Sequence, residues 1–257
     1  MALAKIFVVV DPQDSDRATF QRATQSAVIT GASLHLFLCA TDELLGQDFA
    51  TPDAGMAAFD DMLSTMVKDA GAQGVQCSSE LIRAENWSDE ALRSAASNGC
   101  DMIFKSSFYH SQADRALKST SDWNLMRHAP CPVLMVKNFH DWRTRKVLAA
   151  IKCDTADASH IKLDRSIINM AQRMAEAHGS EAHFVCSYRD KRDAPELDDL
   201  ESQCGVNRER IHRVSGDPAD AILGQAAELK ADLVIVGTVA RTGMVGRVVG
   251  NTSEKIL

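Results

Sequence analysis

The stretches Lys5-Ile-Phe-Val-Val-Val-Asp11 and Lys146-Val-Leu-Ala-Ala-Ile-Lys152 decide the fold. Each is a short apolar run closed by a polar residue, which is typical of a buried parallel strand. The second run begins 141 positions after the first (146 − 5). The spacing indicates that the chain contains two copies of one structural unit.

A helical pattern follows each of these runs. The apolar residues predicted to share one helix face are Phe20, Ala23, Ala27 and Val28 in the first half and Leu163, Ile167, Ala171 and Met174 in the second. Gly31 and Gly179 are expected to end the two helices, because glycine readily adopts the positive φ found just past a helix end.

The same order of elements continues in both halves. A second strand is predicted at 33–39 and 181–186, and later a helix leads into a strand that starts at Asp101 or at Asp232. Strands that alternate with amphipathic helices predict an α/β fold with two tandem, doubly wound parallel sheets of about five strands each. We expect a first domain at residues 1–138 and a second at 139–257.

The first sheet is expected to close with a strand in Ala129-Pro-Cys-Pro-Val-Leu-Met-Val-Lys137, with Pro132 at its start, where a missing N–H matters least. By the repeat, the corresponding strand of the second sheet is expected beyond Leu257, and it is absent from the sequence as given.

The composition of the chain disfavours several classes of protein. The net charge of -7 and the lack of a Lys/Arg cluster disfavour nucleic-acid binding. The apolar runs are strand-sized and no signal peptide precedes the first strand, so we expect a cytoplasmic protein without a membrane span. The seven cysteines include no C-x-x-C pair, which favours buried, reduced thiols.

Glycines cluster after the predicted fourth strand of the second half. They stand at positions 237, 243, 246 and 250, and they are followed by Asn251, Thr252 and Ser253, which we expect to cap a helix. Ligands of open α/β sheets bind outside the carboxyl ends of the strands, where glycine permits close approach to the backbone. Taken alone, this pattern fits a tight turn as well as an anion site.

Several segments resemble the universal stress protein family, and together they extend over most of the chain. The segments are 127–137, 214–223, 231–237, 241–243 and 250–254. The tandem layout, with Gly-Thr-Val-x-Arg-Thr-Gly and Gly-Asn-Thr, is most similar to the bacterial E-type members. The resemblance implies adenine-nucleotide alpha hydrolase-like domains and a role in the stress response.

Nucleotide-binding members of that family carry the motif G-x2-G-x9-G-[ST]. Gly237 and Gly250 match its first and third glycines, whereas Ala240 and Asn251 depart from it. The resemblance implies ATP as the cofactor of the second half. The nucleotide-binding residues that it implies are Gly237, Thr238, Ala240, Arg241, Gly250, Asn251 and Thr252. Arg241 and Arg247 are either phosphate ligands or surface charges.

The two halves differ at the position of the family's nucleoside-binding aspartate. Asp11 occupies it in the first half, whereas Lys152 occupies it in the second, with Asp154 two residues further on. The loop of the first half, residues 105–121, contains no glycine, and the bulk of Phe108 would block a phosphate. The first half is therefore not expected to bind ATP through this loop.

No catalytic or metal-binding residues are expected, because the eight histidines show no H-x3-H or H-E-x-x-H spacing. His35 and His183 occupy equivalent places and are predicted to be strand residues with satisfied rings. The apolar region Phe37 to Phe59 is expected to pack on its own sheet, although a mobile flap over a small apolar ligand or a partner is the alternative.

The leading interpretation is a stress-response binding protein without catalysis, acting on an unidentified protein partner. The resemblance implies that the two domains form an internal pseudo-twofold pair, and a homodimer is a further possibility. Two alternatives stay open: a scaffold or carrier of a small apolar ligand without ATP binding, and a slow nucleotide hydrolase.

Overall fold

The structure, a computed structural model, describes residues 3–14, 17–107, 121–137, 146–152, 157–237 and 251–256. The chain divides into two compact units, Met1–His140 and Asp141–Leu257. Each unit contains one parallel sheet and the helices that connect its strands, which confirms the predicted fold class. The predicted linker at 138–145 lies outside the described residues.

The first unit alternates strands with helices. Its elements are β1 (Lys5–Val9), α1 (Ala18–Thr30), β2 (Ser33–Ala40), α2 (Asp42–Asp48), α3 (Pro52–Ala72), β3 (Cys77–Arg83), α4 (Trp87–Ser97), β4 (Met102–Ser106), helical residues 121–128 (α5) and β5 (Val133–Val136). The sheet order is β3-β2-β1-β4-β5, so that β1 lies at the centre. The expected closing strand is present as β5.

The second unit repeats this plan with fewer elements among the described residues. They are β6 (Lys146–Ala150), α6 (Ala158–His178), β7 (Glu181–Tyr188), α7 (Leu197–Cys204), β8 (Ile211–Ser215), α8 (Pro218–Leu229), β9 (Leu233–Ile235) and α9 (Asn251–Ile256). Two 3-10 turns flank α7, at Lys191–Asp193 and Arg208–Arg210. Within the described part of this unit the sheet order is β8-β7-β6-β9, which is four strands where the first sheet has five.

Local sequence signals set the helix ends. Gly31 follows α1 with φ 73° and Gly179 follows α6 with φ 60°, as predicted. The side chain of Asp217 accepts a hydrogen bond from the backbone N–H of Ala219 at the start of α8, where Pro218 occupies the first turn.

One carboxylate holds the start of the central strand in each unit. Asp101 Oδ2 accepts hydrogen bonds from the backbone N–H groups of Ala4 at 2.8 Å and Lys5 at 3.0 Å. Asp232 Oδ2 accepts the corresponding bond from Lys146 N at 3.2 Å. We call this contact the aspartate latch. It ties the residue before β4 or β9 to the first residue of β1 or β6, and so supports the register of the two central strands.

The first sheet is buried on both faces. One core cluster joins β1, β2 and β4 to α4 and α5, and it contains Phe7, Val9, Phe37, Cys39, Ala91, Ala95, Cys100, Ile103 and Leu125. On the other face, Val8 lies near Phe20 of α1 and Met66 of α3. The expectation that Val28 faces the core is wrong. Its side chain is 54% exposed, because the buried stripe of α1 runs through Thr24 and Ala27 instead.

The units differ most between the second and third strands of each sheet. The difference in residue number between equivalent residues of the two units falls along the chain. It is 148 at the helix-ending glycines (179 − 31) and 131 at the aspartate latch (232 − 101). The 21-residue α3 of the first unit has the 8-residue α7 as its counterpart. The second unit is therefore shorter on this side of its sheet.

The six cysteines within the described residues form no disulfide bond with one another, and Cys153 lies outside them. Burial raises the pKa of Cys100 to about 11 and that of Cys204 to about 12. These thiols are mostly protonated at neutral pH and therefore weakly nucleophilic. No helix among the described residues is both long and apolar enough to cross a membrane.

The apolar segment after β2 folds back on itself. Leu45 and Phe59 are buried, and the rings of Phe49 and Phe59 meet edge to face with centroids 5.3 Å apart. Gly55 of α3 lies beneath them, and a Cβ at this position would stand 2.6 Å from Leu45 Cδ2 and 2.8 Å from Phe49 Cδ2. The packing of α2 against α3 therefore requires glycine at position 55.

Gly55→Ala is expected to lower the free energy of unfolding by about 1–3 kcal/mol, because an extra methyl group overpacks a filled site. Gly71→Ala in the same helix is the matched control, since a Cβ there meets nothing within 4 Å. Alanine is the better helix former, so this control should be neutral or slightly stabilising. Urea unfolding followed by circular dichroism compares the two variants. Equal stabilities of the two variants would contradict the close contact of Gly55 with Leu45 and Phe49.

Candidate functional site

The candidate site lies at the carboxyl edge of the second sheet, between β6 and β9. Ala149 of β6 pairs with Ile235 of β9, so Ile151 and Gly237 stand at equivalent positions just past the ends of the two strands. The chain leaves β6 toward β7 on one side and reaches β9 on the other. This is the switch point at which open α/β sheets bind their ligands.

Gly237 lies just past the end of β9 and makes a close contact with α6. A Cβ at this position would stand 2.6 Å from Leu163 Cδ2 and 2.8 Å from Ile167 Cδ1. Real Cβ atoms essentially never stand under 3.0 Å from such atoms, so a side chain at position 237 would force Leu163 and Ile167 of α6 to shift. The first glycine of the motif therefore has a packing role, whatever its role in ligand binding.

The short helix α9 is attached to the same strand end. Ser253 is buried, and its Oγ donates a hydrogen bond of 3.4 Å to the carbonyl oxygen of Gly237. The expectation that residues 251–253 cap this helix is wrong, because all three lie within it. Ser253 instead joins α9 to β9, and Ile256 packs against the core formed by Leu148, Val185 and Ile222.

A second contact fixes α9 from the side of α8. Lys255 Nζ donates to Asp217 Oδ2 at 3.3 Å. This bond, followed by the one from the Ala219 N–H, holds the pKa of Asp217 below its usual value. Asp217 thus caps α8 and anchors α9 at the same time, so both helix ends are positioned by one carboxylate.

Polar residues surround the end of β6. The buried carboxylate of Asp164 accepts a hydrogen bond of 3.1 Å from the backbone N–H of Lys152. The Lys152 ammonium lies 3.5 Å from both ring nitrogens of His160, whose Nδ1 lies 2.8 Å from Asp157 Oδ2. The bond from the Ser159 N–H, followed by that from His160, lowers the pKa of Asp157.

Only part of the predicted nucleotide-binding set falls within the described residues. Gly237, Asn251 and Thr252 do, and the structure brings α9 to the end of β9 through Ser253. Four of the set lie outside the described residues: Thr238, Ala240, Arg241 and Gly250. Arg247 and Asp154 lie outside them as well.

Sequence analysis missed three residues that shape the site. Asp164 lies on the buried face of α6 together with Ile167, Ile168 and Ala171. Its helical spacing from these apolar residues is the sequence signal that could have identified it. Asp217 stands in Ser215-Gly-Asp-Pro218, within the segment 214–223, where an Asp-Pro pair typically begins a helix. Nothing local identified Lys255 as its partner.

The corresponding edge of the first unit is built differently. Ser106 occupies the place of Gly237, and its buried Oγ makes no hydrogen bond among the described residues. The preceding Lys105 is buried, with its Nζ 3.1 Å from Asp122 Oδ1 and 5.2 Å from the centroid of the Trp87 ring. A buried ammonium requires such partners, so this ion pair ties α5 to β4.

Asp11 lies at the end of β1, where the resemblance predicts it. Its Oδ1 accepts a hydrogen bond of 2.9 Å from the Gln13 N–H, so the carboxylate stabilises the turn that follows the strand. The cavity beside it measures about 20 Å³, which is room for roughly one water molecule. The positions of Phe108 and the rest of residues 108–120 lie outside the described residues.

His35 and His183, which occupy equivalent places in the two units, have hydrogen-bonding partners for their rings, as predicted. His35 Nδ1 lies 2.9 Å from Ser78 Oγ, and its Nε2 lies 3.2 Å from Glu80 Oε2. His183 contacts a second histidine, His212, at 3.1 Å. Among the residues that the structure describes, no three His, Cys, Asp or Glu side chains are grouped so as to hold a metal ion.

Comparison with known proteins defines the family. The model of the Universal stress protein family matches residues 3–137 and 163–257, which is most of the chain. The chain therefore belongs to the universal stress protein family. Because the match falls on both units, the chain carries a tandem pair of universal stress domains.

Relatives share this tandem layout. The chain is 24% identical to universal stress protein E of Escherichia coli K12, over 98% of this chain and 90% of the relative. A protein of unknown function from Pseudomonas aeruginosa PAO1 is 27% identical with a TM-score of 0.81, covering 99% of this chain and 89% of its own. A universal stress protein from Archaeoglobus fulgidus has the same fold, with a TM-score of 0.77 at 18% identity, over 98% of this chain and 91% of its own.

Gly237→Ala is expected to lower the free energy of unfolding by about 1–3 kcal/mol, because the added methyl group collides with Leu163 and Ile167. Gly224→Ala in α8 serves as the control, since its Cβ would meet nothing within 4 Å. Thermal unfolding of the two variants measures the difference. If Gly237→Ala were as stable as the control, α6 would not press on the end of β9.

Proposed function

We propose that this stress protein is a binding protein whose second unit takes up a nucleotide, with ATP as the first candidate. The ligand would lie over the carboxyl edge between β6 and β9, with its phosphates toward Gly250, Asn251 and Thr252. Binding would then favour one conformation of the chain, which a protein partner recognises.

The observation that carries this proposal is the arrangement around Gly237. The glycine follows the end of β9, next to the end of β6 and at the switch point of the sheet, and Ser253 of α9 donates a hydrogen bond to its carbonyl oxygen. The two ends of the motif-bearing segment, residues 237–252, are thereby brought to one edge. This is the arrangement that a loop wrapped around phosphates needs.

We propose that the first unit does not bind ATP through its corresponding loop. Its fourth strand ends in Ser106 rather than glycine, and the Lys105–Asp122 pair lies at the same edge. A side chain at the glycine position reduces the space for close backbone contact with a phosphate. The two units would therefore differ in function while sharing a fold.

We propose that the second unit binds its ligand without catalysing a reaction. The residues around Lys152, His160 and Asp164 bond to one another and to backbone groups, which supports a structural role for them. The apolar side chains Leu45, Phe49 and Phe59 fill their own interface. That packing gives the alternative function as a carrier of an apolar ligand no specific support.

Isothermal titration calorimetry with ATP on the full-length chain tests the proposal. The wild type is expected to bind one nucleotide per chain. Gly250→Val should weaken binding by more than about tenfold, or roughly 1.4 kcal/mol, because a branched side chain excludes the phosphates from the backbone. The matched control is Ser106→Ala in the first unit, which should bind ATP like the wild type.

Three outcomes would contradict the proposal. Binding that Gly250→Val leaves unchanged would remove the nucleotide from this edge. Two nucleotides per chain would give the first unit a site as well. Magnesium-dependent release of phosphate would make the chain an enzyme. Mass spectrometry of small molecules that copurify with the protein complements the titration, and an apolar molecule found there instead of a nucleotide would favour the carrier alternative.

A further inference from the structure

Two imidazole rings meet on the second sheet. His183 of β7 is 6% exposed, and its Nδ1 lies 3.1 Å from Nε2 of His212 on β8. The rings are stacked at an angle of 22°, with centroids 5.4 Å apart. A hydrogen bond between two ring nitrogens needs one N–H and one lone pair, so at least one of the two rings is neutral.

Charged groups of both signs surround the pair. Glu181 Oε2 lies 3.5 Å from His183 Nε2 and is itself paired with Arg210. The positive charge of Lys146 on β6 lowers the pKa of both histidines, whereas the negative charge of Glu228 on α8 raises the pKa of His212. Burial is the largest cause that lowers the pKa of each histidine, and His183 lowers the pKa of His212 further.

The first unit has a carboxylate where the second has His212. Leu36 of β2 pairs with Ser79, and its counterpart Phe184 of β7 pairs with Ile211. The next residues, Glu80 and His212, therefore occupy equivalent positions. Glu80 Oε2 lies 3.2 Å from Nε2 of the buried His35. In the second unit the corresponding position holds an imidazole, so His183 faces a second ring nitrogen rather than a carboxylate.

We propose that the His183–His212 contact is an acid-sensitive element that loosens β8 from β7 in the second unit only. When the second ring takes up a proton, both facing nitrogens carry N–H groups and the hydrogen bond is lost. Two positive charges at this separation repel by well over thermal energy, even at an effective dielectric constant of about 20.

The sign of the pH effect follows from linkage. Each histidine has its folded-state pKa below the unfolded value of about 6.5, so the unfolded chain binds protons first as the pH falls. The stability that the neutral pair contributes is fully present above pH 6.5 or so. It is lost as the pH falls from there toward the folded-state pKa values.

The position of the pair connects this response to the candidate site. Strand β8 ends at Ser215 and leads through Gly216 to Asp217, which caps α8 and holds Lys255 of α9. Loosening of β8 would free this carboxylate from its position. Acid would therefore weaken the contact of Lys255 with Asp217, which is one of the contacts that hold α9 at the carboxyl edge.

Hydrogen–deuterium exchange of the full-length chain, read by mass spectrometry at pH 7.5 and pH 5.5, tests the proposal. Protection factors corrected for the intrinsic exchange rate should fall by about tenfold or more in β7 and β8 at the lower pH. Peptides from β2 and β3 provide the internal comparison and should change by less than about threefold. Unchanged protection in β8 at pH 5.5 would overturn the proposal.

Two variants test whether the His183–His212 pair causes the acid-dependent loss of protection in β8. His212→Gln keeps a hydrogen-bonding group but cannot take up a proton, so the acid-dependent loss in β8 should disappear. His35→Gln removes the buried ring of the first unit and should leave the loss in β8 as in the wild type. If His212→Gln lost protection by the same factor as the wild type, another group would be responsible and the proposal would be wrong.

A measurement on the wild type covers the case in which His212→Gln fails to fold. Nuclear magnetic resonance of the imidazole Cε1–H signals, recorded as a function of pH, gives the titration midpoints of His183 and His212 directly. Midpoints below that of a free histidine, with β8 amide signals shifting over the same pH range, would support the proposal. Midpoints at or above it would overturn the proposal.

Discussion

The aspartate latch is the contact on which the rest of each unit depends. A parallel sheet brings useful groups together only if its strands end at the same level, and a shift of one residue would turn every side chain to the opposite face. Asp101 and Asp232 accept hydrogen bonds from the first residues of the central strands. By fixing the amino ends, they determine which residues meet at the carboxyl ends: Asp11 near Ser106, and Lys152 near Gly237.

From this shared base the two units diverge at their carboxyl edges. In the first, an ion pair between the buried Lys105 and the partly exposed Asp122 joins strand to helix, and the glycine position holds a serine. In the second, helix α6 packs directly on Gly237. An ion pair of this kind contributes little net stability, but breaking it would leave the buried charge of Lys105 uncompensated. The first edge is thereby specified by charge and the second by close packing.

The repeat allowed most of the scaffold to be predicted from sequence. Continuous apolar runs identified β1, β2, β4 and their counterparts, because strands covered on both faces must be apolar throughout. The edge strand β3 is only partly buried and reads Cys-Ser-Ser-Glu-Leu-Ile-Arg, so no such run marks it. Long-range pairings such as Asp217 with Lys255 were out of reach, since charge and propensity are local while the contact depends on the fold.

The close contact at Gly237 bears on how such motifs change during evolution. Loss of this glycine is penalised through the packing of Leu163 and Ile167, even in a chain that has no ligand to bind. Selection for a stable domain alone would therefore preserve it long after the neighbouring positions had drifted. A surviving glycine at the end of this strand is thus a record of architecture first, and a family member that retains it need not have retained the binding activity of its ancestors.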